Sequence, residues 1–213
     1  MSGPEDSAGS TATEAEDAQR QADTHTLLLR MAGRPAGEVL ARISDGDMLR
    51  LFPRCARRIR EACYVLDPER VYERALAEVA VSLEVDGERC AEEAWLSACV
   101  DRAVQSVLER DQREEHEGVP SLQPEKHYPL FIEACQLEPG LARLASVRFN
   151  ALAPRVRRGF QKLVVEGLPL AEVLALDLGP PEQLQLDILH ALQAIGLVDE
   201  AGVEELRVKG DQP

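Results

Sequence analysis

Aromatic side chains are scarce, at 4% of 213 residues with a single Trp. A binder of single-stranded nucleic acid interleaves several aromatics with its cations, so that class is disfavoured. Positive charge is also short. Lys and Arg number 24 against 38 Asp and Glu, for a net charge of −14. A protein gripping nucleic acid with its whole surface would be basic, so any such contact must come from a local patch. The five cysteines (Cys55, Cys63, Cys90, Cys99, Cys135) are odd in number and form no CxxC. Their spacing fits neither a disulfide framework nor a zinc site, and they read as free thiols on helix faces. No apolar run approaches the ~20 residues of a membrane-spanning helix. The sequence contains no GxGxxG, P-loop, HExxH or GxSxG pattern, and His25, His116, His127 and His190 are scattered. These absences predict a non-enzyme with no cofactor, no metal and no small-molecule substrate. The polar, acidic N-terminus resembles neither a signal nor a transit peptide, which predicts a cytoplasmic protein.

What is present is helical pattern. Residues 1–26 are Ser/Thr/Ala/Glu-rich, with six acids against Arg20. They cannot bury enough apolar area to offset their ordering entropy, and are expected to form a disordered acidic tail. Leu51, Phe52, Cys55, Ile59, Cys63 and Leu66 make a helical stripe. Asp67-Pro68-Glu69 supplies an N-cap, a Pro at the first helical position and an acidic first turn, opening a helix to about Leu83. Asp86-Gly87-Glu88 reads as a turn. A long helix is expected from Ala91 to about Glu115, with Trp95, Cys99, Ala103 and Val107 inward. The polar stretch 112–126, holding Gly118, Pro120 and Pro124, is the natural linker. Beyond it, helices are expected at Tyr128–Leu137, Leu141–Phe149, Pro154–Val165, Leu170–Leu178 and Glu182–Ile195, with a short one at Val203–Val208. The expected fold is all-α, in two helical domains at 27–111 and 127–213.

The second block orders helix, short helix, Gly-containing turn and helix, the outline of a helix-turn-helix. The segment Leu152-Ala153-Pro154-Arg155-Val156-Arg157-Arg158-Gly159-Phe160, followed by Val164-Val165-Glu166-Gly167-Leu168-Pro169-Leu170-Ala171-Glu172-Val173, resembles region 4 of bacterial sigma factors of the extracytoplasmic-function (ECF) type. Leu189-His190-Ala191-Leu192 is similar to the end of that region. Leu40–Asp47, Leu51–Ile59, Asp67-Pro68-Glu69 and Ala94-Trp95-Leu96 resemble, in order, segments of the family's region 2. The resemblance covers roughly residues 37–196. It implies a region 2-like domain, a linker and a region 4-like helix-turn-helix, with RNA polymerase core or an anti-sigma-like protein as partner. Carried over residue by residue, it places Glu78 and Val79 at a polymerase contact; the basic cluster of Arg54, Arg57 and Arg58 reads either as a solvated face or as a patch for an acidic partner, a nucleic-acid backbone or the protein's own tail. The resemblance places Arg102 and Arg110 near a −10 element. Gln183 and Gln185 would lie near a −35 element; the basic cluster of Arg155, Arg157 and Arg158 just before them reads either as a solvated face or as a patch that meets the duplex backbone.

The chain departs from the family in charge. At Ala77-Glu78-Val79-Ala80 the acid is kept, while the family's Gln and aromatic are missing. The helix after Trp95 offers Asp101, Arg102, Ser106, Glu109, Arg110 and Asp111, a mixed rather than basic set. From Leu163 to Leu206 there is no Lys or Arg against nine acids. Phosphate contacts dominate DNA affinity, so such a face is repelled by a duplex. Gln183 or Gln185 could read an adenine and Asp187 could accept from a cytosine. Two functions follow: a sigma-like protein docking on polymerase with weakened or lost promoter recognition, or a sigma-like adaptor or decoy working by protein contact. The acid-only stretch and the Leu186/Ile188 pair favour the second.

Overall fold

A computed structural model of the chain describes residue 19 and residues 22–86 and 93–199. The expectations for most of the acidic tail, for the turn at 87–88, for Cys90 and for a helix at Val203–Val208 lie outside the described residues. Every regular element among the described residues is helical. The helices are α1 (22–31), α2 (Ala36–Ile43), α3 (Leu51–Glu61), α4 (Pro68–Asp86), α5 (Glu93–His116), α6 (Pro124–His127), α7 (Pro139–Asn150), α8 (Pro154–Phe160), α9 (Leu170–Leu174) and α10 (Pro181–Ala194). Two single π-helical turns, Leu130–Ala134 and Gln161–Val165, precede α7 and extend α8.

The helix starts follow local chemistry. Asp47 adopts φ 49° and its carboxylate accepts from the backbone N–H groups of Leu51 (2.7 Å) and Phe52 (3.2 Å), capping α3. Asp67 Oδ1 accepts from the Glu69 N–H at 2.9 Å, and Pro68 takes the first position of α4. Helices α6, α7, α8 and α10 each open on a proline. Proline suits that position because its fixed φ is pre-set for the helix and its missing N–H would be unpaired there anyway.

The chain folds into two compact units that are discontinuous in sequence. One comprises the chain up to Cys55 with Tyr72–Ala103; the other comprises Ala56–Val71 with the chain from Val104 on. The linker expected at 112–126 overlaps two helices and the loop at 117–123 between them. Its described residues are the last turns of α5, a short loop and the start of α6. Of the tail expected to reach residue 26, the described residues 22–26 belong to α1, where Leu28 and Met31 are buried.

In the first unit, Val39, Ile43, Leu51 and Cys55 are buried, as are Ala75, Val79 and Leu83 of α4 and Leu96, Cys99, Val100 and Ala103 of α5. The Gly33 N–H donates to Leu83 O and the Ala36 N–H to Glu84 Oε2, so the end of α4 receives the loop before α2. Trp95 is half-buried; Leu96 beside it takes the interior place the i+4 pattern gave to Trp95.

In the second unit, Phe131, Phe149 and Phe160 meet edge to face, with centroids 5.9 and 5.2 Å apart. Val65, Tyr128, Ala142, Ala145, Val156, Ala191 and Ile195 complete that core. A smaller cluster of Val173, Leu178 and Leu184 joins α9 and α10. α10 lies close on α8 at Gly159, where a Cβ would meet Leu184 Cδ1 at 2.8 Å.

Candidate functional site

The polar side chains singled out by the resemblance fall into three settings. On α4, Val79 is fully buried and offers no side chain to a partner; a contact at Val79 is therefore corrected to a core position. Glu78 is ion-paired to Arg74 at 2.7 Å and to Arg102 at 3.3 Å. Arg102 also donates to Ser82 Oγ at 3.0 Å. The intended −10 residue thus ties α5 to α4 instead. Arg110 pairs with Glu114 one turn on, at 2.6 Å. Arg54 holds both oxygens of the Glu93 carboxylate. Arg57 lies 3.7 Å from Glu61, and Arg58 is exposed beside it on α3.

The second setting is the junction of α8 and α10. Arg155 makes a two-pronged contact with Asp187, Nε–Oδ2 2.9 Å and Nη2–Oδ1 3.1 Å. Gln183 Nε2 donates to the same carboxylate at 3.0 Å. Asp187 is buried; Arg155 and Gln183 both donate to its Oδ1, while Oδ2, 2.9 Å from Arg155 Nε, accepts no hydrogen bond among the described residues. Gln185 is exposed on α10, and Arg158 is exposed on α8 with no ion pair among the described residues. Ile188 turns inward toward Gly159 and the aromatic core, whereas Leu186 stays exposed.

The third setting is the loop between α3 and α4. Arg157 is 5% exposed. Its guanidinium donates to three backbone carbonyls, Ala62 O (3.1 Å), Asn150 O (3.1 Å) and Leu152 O, and lies 4.3 Å over the Tyr64 ring. Among the described residues no carboxylate pairs with it. Desolvation by burial pulls its pKa down, against the pull of Tyr64 and Cys63. Asn150 matches both backbone groups of Val65, accepting its N–H at 2.9 Å and donating to its carbonyl at 3.0 Å. Ser146 Oγ adds a bond to that carbonyl at 2.8 Å. Arg157, expected at a duplex, is buried here and clamps these carbonyls.

Ser146 and Asn150 were not singled out from the sequence. Their signal was there: two polar residues spaced i, i+4 on the same helix stripe as buried Ala142 and Phe149. Asp111 carries a similar signal, because it continues the Cys99–Ala103–Val107 stripe one turn further. It is 2% exposed, not a polar surface residue as the helix reading had it. Arg70 Nη2 reaches its Oδ1 at 2.6 Å, and the Tyr128 hydroxyl donates to its Oδ2 at 3.1 Å. Burial and the Asp111 charge push the Tyr128 phenol well above its usual range. Arg143 is also buried and joins Glu114, Glu115 and the Val119 carbonyl, which fastens the loop after α5 to α7.

His127 stands 3.9 Å from Asp67. Burial, with the charge of Arg70 and Lys126, holds its pKa below the usual imidazole value despite the opposing pull of Asp67 and Asp111. A folded pKa below the unfolded one means that protonation favours the unfolded chain. The stability contributed by neutral His127 is therefore full above the unfolded value of about 6.5 and declines as pH falls through it. Urea midpoints from pH 8 to 5 should drop more steeply for the natural chain than for His127→Gln; equal slopes would refute the assignment.

Cys55, Cys63, Cys99 and Cys135 form no disulfide among the described residues. Burial, with the nearby Asp47 charge, pushes Cys55 up to about 12, which leaves no reactive thiolate. Among the described residues, no group of three or more His, Cys, Asp or Glu is placed to hold a metal ion, and no helix is long and apolar enough to cross a membrane. No family model, no curated protein and no solved structure matches the chain.

Proposed function

We propose that the protein is a sigma-like helical adaptor that acts in the cytoplasm through protein contact and does not read duplex DNA. Its partner in this reading is RNA polymerase core or an anti-sigma-like protein. The order of motifs along residues 37–196 supports the region 2-like and region 4-like assignment. The observation that carries the loss of readout is the network on α8 and α10. Arg155 and Gln183 converge on Asp187, and Arg157 is buried against carbonyls, so three of the five side chains expected at a duplex are committed within the protein. Around them, residues 163–206 contain no cation.

The test is a titration with a labelled duplex across ionic strength, beside a tagged pull-down. No saturable DNA binding is expected at about 0.15 M salt. Polymerase core or one anti-sigma-like protein should be retained near 1 M salt, where surface charge is screened within ~3 Å. Duplex binding whose log affinity falls linearly with log salt would overturn the reading in favour of a working DNA binder.

A further inference from the structure

Acids outnumber bases in the chain, 38 to 24, so an arginine without a carboxylate is the exception to explain. In the first unit, Arg34 and Arg54 pair with Glu38 and Glu93, and Arg74 and Arg102 share Glu78. Arg30, Arg42 and Arg50 are exposed and carry no ion pair among the described residues. Two of these three, Arg30 and Arg50, stand at one place.

That place is a hollow of about 510 Å³ between α1 and the loop from α2 to α3. Both of its sides belong to the first unit. Asp23, Leu27 and Arg30 line it from α1, at steps of four and three along one stripe, and Met48 and Arg50 line it from the loop. Leu27 is half-buried and Met48 is 50% exposed. The loop side is fixed in shape. The Arg50 N–H donates to Asp47 O at 2.8 Å, and the Asp47 carboxylate is held by the first N–H groups of α3. Arg50 itself sits at φ 52°, a left-handed conformation that a long side chain seldom adopts. Asp23 is the acid on the lining, and its Oδ1 accepts from the Gln19 amide at 3.0 Å. Two guanidinium groups against one carboxylate reverse the charge balance of the whole chain. Guanidinium forks match carboxylates in shape as well as sign.

The same chain carries a matching anion. Residues 1–18 hold five acids, Glu5, Asp6, Glu14, Glu16 and Asp17, and no Lys, Arg or His. They lead toward the helix that forms one wall of the hollow. Arg30 lies about 12 Å along α1 from its start at residue 22, while 18 residues can span at most about 60 Å. An exposed ion pair is weak between separate molecules. Attachment to the same chain raises the effective concentration to roughly millimolar, so a weak contact becomes populated. A carboxylate arriving on another molecule lacks that advantage.

We infer that the hollow of Arg30 and Arg50 is a carboxylate-binding site whose occupant is the chain's own acidic segment, residues 1–18. The contact is electrostatic, so it forms at low ionic strength and is released as salt screens it. An acidic partner reaching for the same arginines must first displace this segment.

The test is photo-crosslinking of the full chain carrying Met48→p-benzoylphenylalanine. It is run at about 0.01 M salt, where charges act over roughly 30 Å, and at about 1 M, where screening leaves ~3 Å. Trypsin and mass spectrometry then identify what residue 48 captured. The expected product runs at monomer mass and joins residue 48 to the Met1–Arg20 fragment, with a yield at least about fivefold lower at 1 M salt. At low salt, Arg30→Gln with Arg50→Gln should lower that yield at least about fivefold. Glu5→Gln, Asp6→Asn, Glu14→Gln, Glu16→Gln and Asp17→Asn together should do the same. Arg42→Gln removes an equally exposed, unpaired arginine that does not line the hollow, and should leave the yield within about a factor of 1.5. The five-carboxylate variant alters no described residue, so it decides the matter even where an arginine change disturbs folding, which circular dichroism melts reveal. Products only at dimer mass would assign the hollow to a second copy and overturn the inference. So would the absence of an adduct with the Met1–Arg20 fragment at low salt, or a yield unmoved by neutralising the five carboxylates.

Discussion

Replacing Arg157 by Ala is expected to lower the unfolding free energy by about 3 kcal/mol. The change strips hydrogen-bond donors from the carbonyls of Ala62, Asn150 and Leu152 and removes the cation stacked over Tyr64. A buried acceptor left without its partner costs about 1–3 kcal/mol, and stacking on an aromatic ring adds about 1 kcal/mol. Partial rehydration of the emptied site keeps the sum from reaching its upper limit. Arg157→Lys should recover less than half, because a compact ammonium cannot span the fork that the guanidinium fills. The neighbouring exposed residue is the internal control: Arg158→Ala should cost under about 0.5 kcal/mol. Urea unfolding of the three variants measures all of this. Equal losses for Arg157→Ala and Arg158→Ala would refute the clamp.

An effect of similar or larger size is expected at Asp111. Its carboxylate sits between the Arg70 guanidinium and the Tyr128 hydroxyl, and Arg70 is itself only 14% exposed in its side chain. Asp111→Ala leaves that guanidinium without a counter-charge. Breaking a buried pair by removing one partner costs about 3–5 kcal/mol. Because much of that cost is the stranded charge rather than the lost bond, removing both partners should be far milder. Arg70→Met with Asp111→Leu is expected to lie within about 1–2 kcal/mol of the natural chain, so the double change falls well short of the sum of its parts. Strict additivity of the two single changes would mean that the pair does not act as a unit.

Much of the local structure was legible from short-range signals. Asp67-Pro68-Glu69 opens α4 because a carboxylate cap and a proline act within three residues. The Leu51–Cys55–Ile59 stripe is the buried side of α3 because apolar spacing and helical period agree. The polar stretch 112–126 overlaps a helix expected to about Glu115: Arg110–Glu114 is a helix-compatible i, i+4 pair, and buried Arg143 draws Glu114, Glu115 and Val119 onto α7. A charged segment is solvated in a linker and in a surface helix alike, so composition could not decide between them. Whether Arg155, Arg157 and Arg158 face outward depends on what lies across from them in space, Asp187 for the first and the Ala62 carbonyl for the second. Three arginines within four positions look equivalent along the chain; one is paired, one is buried and one is exposed. The charge asymmetry of residues 163–206, by contrast, needed no structure, since it is a count.

The clamp on the α3–α4 loop also sets an order of events during synthesis. The side chains that hold Val65 and Ala62 are Ser146, Asn150 and Arg157, between 81 and 95 residues downstream. At translation speeds of about 5–20 residues per second, a 95-residue gap is a wait of roughly 5–20 s. Through that interval the nascent loop carries Val65 and Leu66, buried in the finished protein, with no native cover from the helices that will clamp it. Closing so distant a contact is also entropically slow. The second unit is thus a structure that the ribosome must nearly finish before its earliest piece can be locked in, and the loop from Ala62 to Leu66 is the segment that a holdase chaperone would find waiting.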